Sequence, residues 1–181
     1  SASGPFLPAL WKPGRIVVTA TRSGSEFNYS RFGAYLSESL QDLSADLDHD
    51  LEISLLEAFL TAVARTEQFY RGEARLATEH ALIDDNGDGR GTSGEFFHGL
   101  RTVQVAEAGE PVDGQAAARV MLFASLQALQ LTPAQRAQRE AVETRIDALR
   151  ERKQGMQESH YYDQLEALLL ELAIIYEAAE M

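Results

Sequence analysis

Two stretches of the chain carry an apolar rhythm regular enough to define an element. In "ISLLEAFLTAVARTEQFYRGEARLA" (53–77), Leu56, Phe59, Leu60, Val63 and Tyr70 fall on one helical face, since residues three and four apart are neighbours on a helix. Near the C-terminus, Tyr161, Leu165, Leu168, Leu172, Ile175 and Ala179 recur at alternating steps of four and three, and Tyr162, Leu169 and Tyr176 widen the stripe. A seam of this kind predicts a helix that buries one side. Just before it, "LTPAQ" offers Thr132 as N-cap, Pro133 at the first helical position and Gln135 to complete a capping box. That helix is expected to run to Lys153 and stop near Gly155. The two together predict an antiparallel helical hairpin over 125–181, with the seam as its core. A second reading makes the seam a dimerisation or docking arm. Arg136, Arg139, Arg145, Arg150, Arg152 and Lys153 crowd the first helix, but interspersed acids make this a solvated face.

The remainder, 1–124, reads as α/β. "RIVVTAT" (15–21) is short, β-branched and bounded by glycines, which predicts a buried strand. "RFGAYLSESLQDL" (31–43) fits a short helix, and the Gly- and Pro-rich stretch 1–14 reads as loop. Residues 96–124 are mixed, with a candidate strand in "RTVQV" and an ambiguous segment in "AAARVMLFA".

Charge narrows the partners. The formal net charge is −12, which disfavours nucleic acid and anionic membranes and favours cations or basic partners. The chain has no cysteine, so disulfides, thiolate metal sites and a cysteine nucleophile are excluded from it. No apolar run reaches membrane-spanning length. The first residue is not Met, and the natural start is expected to lie upstream.

The acid is concentrated in two places. A twelve-residue calcium loop presents oxygens at positions 1, 3, 5, 7, 9 and 12, with a turn glycine at 6. In "DDNGDGRGTSGE", Asp84, Asn86, Asp88, Gly89 and Glu95 fill positions 1, 3, 5, 6 and 12; Arg90 offers a carbonyl at 7 and Thr92 stands at 9. Gly91 occupies position 8, where an apolar anchor is usual. Upstream, "DLDHDLEISLLE" places Asp46, Asp48, Asp50 and Glu57 at 1, 3, 5 and 12, Glu52 and Ser54 at 7 and 9, and Ile53 at 8. Its departure is Leu51 at position 6, where a left-handed backbone costs a non-glycine residue about 1–2 kcal/mol. Each loop alone also fits a blander description, the upstream one as acids gathered at a helix N-terminus, the downstream one as a solvated Asp/Gly turn. Two matches in one chain favour Ca2+ at both, and more strongly at Asp84–Glu95 than upstream. Because 58–83 reads mostly as one helix, two separate sites fit as well as an EF-hand pair.

"GRGTSG" (89–94) has the spacing of a dinucleotide fingerprint, but no strand is predicted before it, and Asp84, Asp85 and Asp88 would repel a pyrophosphate. The four histidines are His49, His80, His98 and His160. None is placed by spacing beside a nucleophile.

"SASG" followed by "RIVVTATRSGSEFNYSRFGAYL" resembles the legumain-type cysteine peptidases of the caspase–haemoglobinase fold. Ser1, Ser3 and Gly4 match that family's Cys–Glu–Ser–Gly stretch; Val17, Val18, Ala20 and Thr21 match the strand after it; Glu26 and Tyr29 match its Glu-x-x-Tyr exit. The resemblance covers about the first 80 residues. It implies the C-terminal part of a caspase-like α/β/α sandwich, with Ser1 where the family has its cysteine nucleophile. It also implies that Thr21, Ser23, Glu26 and Asn28 help wall a pocket for a peptide or protein substrate. The family's catalytic His–Gly lies before the matched stretch, so an N-terminal fragment of the same protein would have to supply it. On this reading the isolated chain is inactive, because a serine hydroxyl without a base is a poor nucleophile. The expected function is a calcium-binding segment of a legumain-like peptidase or pseudo-peptidase. The alternative is a non-enzymatic, EF-hand-like interaction module whose hairpin recruits a partner. A non-native origin of "SASG" would remove the Ser1 argument and leave the strand match.

Overall fold

The structure, a computed structural model, describes residues 2–102, 113–124 and 131–179. The chain divides into two compact units, Ser1–Ala124 and Ser125–Met181.

The first unit is mixed α/β with small sheets. The predicted strand forms as β1 (Val17–Thr19). Its partner is β3 (Leu82–Asp84), which lies between β1 and β4 (Thr92–Ser93) in a three-stranded antiparallel sheet. Val18 pairs with Ile83, and Ile83 pairs in turn with Thr92. A strand therefore does precede the glycine-rich loop, correcting one ground for setting the dinucleotide reading aside. The other ground stands, and β4 falls inside the matched stretch, where the fingerprint requires the turn into a helix.

The N-terminal stretch read as loop is more ordered than that. A 3-10 turn, Gly4–Phe6, leads into a short helix, α1 (Leu7–Leu10), and Leu7 packs in a buried cluster with Val17 and Leu82. Ser3 and Gly4 are clasped to the end of β1. The Thr21 hydroxyl accepts the Ser3 and Gly4 amides at 2.8 and 3.0 Å, and the Ser3 hydroxyl accepts those of Ala20 and Thr21 at 3.0 and 3.2 Å. A Cβ on Gly4 would lie 2.4 Å from the Arg22 carbonyl, so only glycine fits this approach.

Helix α2 (Phe32–Ser39) is capped from a distance. The buried Glu79 carboxylate accepts the Arg31 and Phe32 amides, the Ser30 hydroxyl and the Tyr70 hydroxyl. An anion there suits both the free amides and the helix dipole. The long helix, α3 (Leu55–Gly72), starts two residues later than periodicity suggests, because Glu52–Ser54 form strand β2. Ser54 and Glu57 make a reciprocal capping box at its start. Its buried face, Leu56, Phe59, Ala62 and Tyr70, includes three of the five predicted positions; Phe59 meets Phe32 edge-on at 5.8 Å. Ile83, Ala81 and Ala117 complete that core.

Beyond the glycine-rich loop come two short pairings. Strand β5 (Phe97–His98) pairs with β6 (Arg101–Thr102), the start of "RTVQV", whose remaining residues lie outside the described ones. The ambiguous "AAARVMLFA" resolves into a 3-10 turn, Ala117–Arg119, and strand β7 (Met121–Ala124), which pairs antiparallel with β2.

In the second unit, α4 (Pro133–Glu151) begins with the predicted Thr132–Gln135 capping box, and α5 (Glu158–Glu177) follows. The two pack on each other. Tyr161, Leu168 and Ile175 from the seam are buried with Leu131, Val142, Ile146 and Leu149. Arg145 grips Glu171 with two hydrogen bonds, at 2.5 and 3.2 Å.

Candidate metal centre

The upstream acidic loop winds around its own carboxylates. Asp46 is buried and accepts the Asp50 and Leu51 amides at 3.1 and 3.0 Å. Asp48 accepts the Asp50 amide at 3.2 Å, and Asp50 accepts that of Glu52 at 2.8 Å. These bonds need a backbone that doubles back, and it does: His49 and Leu51 take φ of 63° and 68°. One carboxylate oxygen from each of Asp46, Asp48 and Asp50 then lies within 4.8 Å of the others, a group that could hold a metal ion. Asp48 is at the surface of the loop, yet the loop around it desolvates its carboxyl, and with repulsion from Asp50, Glu57 and Asp46 pushes it up to about 8.

The rest of this loop belongs to the start of α3. Glu57 is buried; one oxygen accepts the Leu47 amide and the other the Ser54 amide and hydroxyl, each at 2.8 Å. Ser54 and Glu52 are buried in β2. The capping box thus holds the position-12 carboxylate against the beginning of the loop.

The downstream loop repeats the same winding. Asp84, fully buried, accepts the Gly87 and Gly89 amides at 2.9 and 3.0 Å; Asn86 accepts that of Asp88 at 2.8 Å, and Asp88 that of Arg90 at 2.7 Å. Gly87 and Gly89 both take φ of 75°. Loop positions 4 and 6 are therefore left-handed in both loops. In both, the amides at 5, 6 and 7 return to the side chains at 3, 1 and 5.

The loops part at their ends. Thr92, expected as a ligand at position 9, gives its hydroxyl to Asp113 at 2.6 Å. Glu95, expected at 12, is exposed and lines a cavity of about 300 Å3 with Val63, Thr66, Arg71 and His80. Among the described residues, Asp84, Asp88 and Glu95 do not gather as Asp46, Asp48 and Asp50 do. The physical reason is local: Glu95 sits in a 3-10 turn, Gly94–Phe96, whose N-cap Ser93 makes no side-chain bond, so no capping box draws it back. The glycines made the downstream loop the stronger sequence match, but the carboxylates converge upstream.

Nor do the loops pair with each other. Position 8 upstream, Ile53, faces Phe123 of β7, and β4 downstream pairs with β3. Against the downstream loop stands Asp113, which sequence reasoning missed. It is buried and accepts the Asp85 and Asn86 amides at 3.0 and 3.3 Å as well as the Thr92 hydroxyl. Burial, partly offset by those bonds, pushes its carboxyl up to about 6. The only local signal for it was a polar Asp–Gly turn.

Ser1, the nucleophile position, lies outside the described residues. Of the proposed pocket wall, Thr21 is buried and committed to its clasp with Ser3 and Gly4, so it is not free to face a substrate. The Ser23 hydroxyl bonds that of Ser25 at 2.8 Å, and Asn28 is exposed. Glu26 instead pairs with His80: Oε1 lies 2.6 Å from Nδ1, and Oε2 accepts the Arg22 amide at 2.9 Å. Burial raises the Glu26 carboxyl, but the bonds from His80 and Arg22 outweigh it and hold the group below its usual value. Among the described residues no hydroxyl hydrogen-bonds His80. His49 and His98 are exposed, and His160 meets Gln164 at 2.7 Å.

No protein-family model, curated protein or solved structure matches this chain.

Proposed function

We propose that this chain is a calcium-binding unit whose principal site is the loop Asp46–Glu57, with Asp84–Glu95 as a second, weaker one. The observation that carries this is the winding shared by the two loops: left-handed residues at positions 4 and 6, and the same amides returned to side chains at 1, 3 and 5. Leu51 adopts that conformation at a steric cost, and strained backbone of this sort persists where the surroundings enforce it. The donor set is all oxygen, which selects a hard cation over zinc, and the flexible carboxylate geometry suits Ca2+ better than Mg2+. Asp46, Asp48 and Asp50, the Glu52 carbonyl, Ser54 and Glu57 would hold the ion upstream; Asp84, Asn86, Asp88 and the Arg90 carbonyl would hold it downstream, with Thr92 and Glu95 turned elsewhere. The ion's role is structural, locking the start of α3 to β2.

The larger context is a segment of a legumain-like peptidase or pseudo-peptidase, in which an N-terminal fragment adds the strands of an α/β/α sandwich and the catalytic histidine. What supports this is the seating of the "SASG" residues Ser3 and Gly4 against the end of β1. A second reading, a non-enzymatic interaction module with α4 and α5 as an antiparallel hairpin, is favoured by the exposed Leu169, Leu170 and Ile174 on α5.

The test of the calcium reading is isothermal titration with CaCl2 on the wild type and on Asp48→Ala. Loss of the tighter of the two binding events in the variant supports it. No heat at millimolar calcium sinks it.

A further inference from the structure

We propose that the segment 113–124 couples the two acidic loops, so that fixing one loop fixes the other. The calcium reading supplies the trigger for this coupling; the linkage itself rests on hydrogen bonds. In a paired arrangement two such loops would meet directly through a short sheet. Here each is paired elsewhere, and the segment 113–124 touches both.

At its start, Asp113 holds the downstream loop at both ends, through the Asp85 and Asn86 amides and the Thr92 hydroxyl. Gly114, at φ +111°, lets the chain turn there, and a Cβ on it would strike the Phe97 ring at 2.7 Å. Four residues after Asp113, the Ala117 amide donates to Asp85 Oδ2 at 2.7 Å, and Ala117 is fully buried in the core beside Leu56 and Ile83. The Val120 carbonyl then accepts the amide of Leu55, the first residue of α3, at 2.8 Å. Finally β7 lies along β2, Met121 opposite Ser54 and Ala124 opposite Glu52, which are positions 9 and 7 of the upstream loop. Phe123 packs against the cluster of Ala45, Ile53 and Ala58 that flanks the same loop. The segment is pinned at one end to the downstream loop and at the other to the upstream ligand positions, with a buried alanine between. An element with little room to shift independently at its two ends transmits a change from one to the other. Asp113 is accordingly a positioning residue, acting on ligands through the backbone it holds.

The experiment is amide hydrogen exchange on the full chain, wild type against Asp113→Asn, joined to calcium titration of wild type and Asp48→Ala. Asp113→Asn should raise exchange at Asp85 and Asn86, whose amides it holds, and also at Asp50–Glu52, which it does not touch. A rise confined to the downstream loop overturns the coupling, and so does an equal rise at the Ser3–Thr21 clasp, which would mean general loosening. In the titration, Asp48→Ala should weaken the remaining site about fivefold or more. Two ions bound independently would overturn the coupling and leave the calcium reading standing. No ion bound at all would remove the calcium reading, and the exchange result then decides the linkage by itself.

Discussion

Leu51 shows how a single residue can run against its local preference. Its left-handed backbone costs about 1–2 kcal/mol, while replacing it by glycine adds unfolded-state freedom worth about 0.4–1 kcal/mol. Leu51→Gly should therefore be neutral or stabilising by up to about 1.6 kcal/mol in denaturant unfolding; a clear loss of stability would mean the leucine side chain, not the loop, sets the conformation. Asp42 offers a titration that is independent of either loop. It caps the 3-10 turn Leu43–Ala45 and bonds Arg65, and that bond, with those from Ser44, lowers its carboxyl to about 2. A carboxyl depressed on folding stabilises the fold above its unfolded value near 3.8 and loses that contribution as pH falls through the folded value. Side-chain NMR of Asp42 should give a midpoint near 2, returning towards the ordinary carboxylate range in Arg65→Ala. A midpoint already ordinary in the wild type would show that the pair is not formed in solution.

Among the elements, α3 connects the fold to the upstream loop. Ser54→Ala removes the N-cap and the bonds holding Glu57, and should cost about 0.5–2 kcal/mol. If the loop's occupancy depends on that box, the same change weakens calcium binding; intact affinity in a destabilised protein would separate the cap from the site. In the second unit, Leu168 is buried between α4 and α5, so Leu168→Ala should cost that unit about 2–5 kcal/mol. A change within half a kcal/mol, accompanied by an altered oligomer size, would instead mark the seam as a docking face. The helices were legible because their information is local: periodicity, a cap and a capping box all lie within a few residues of each other. Apart from the β-branched run of β1, the strands of two to four residues carry no such signal. β3 and β7 exist because β1 and β2 lie alongside them, and α2 owes its cap to Glu79, more than forty residues away.

For the whole molecule, calcium at loops tied into the first unit should raise its melting temperature by mass action, since an ion that binds only the native state stabilises it. The isolated chain should not cleave peptides ending in Asn, Asp or Arg; turnover that disappears in Ser1→Ala would overturn that expectation and would make the wider peptidase reading an active one. By itself the sequence determined the spacing of oxygens in both loops, the helical faces and the cap of α4, because each depends on chain neighbours whose relation backbone geometry nearly dictates. Tertiary structure decided which side chains are drawn away to distant partners. A side chain in a loop turns towards whatever hydrogen-bond partner the folded chain brings to it, and that partner is distant in sequence: Asp113 for Thr92, His80 for Glu26, the α2 amides for Glu79. Glu57 is held against the start of its loop by the Ser54 capping box and the Leu47 amide, and Glu95, whose 3-10 turn has no side-chain cap bond, is not held so.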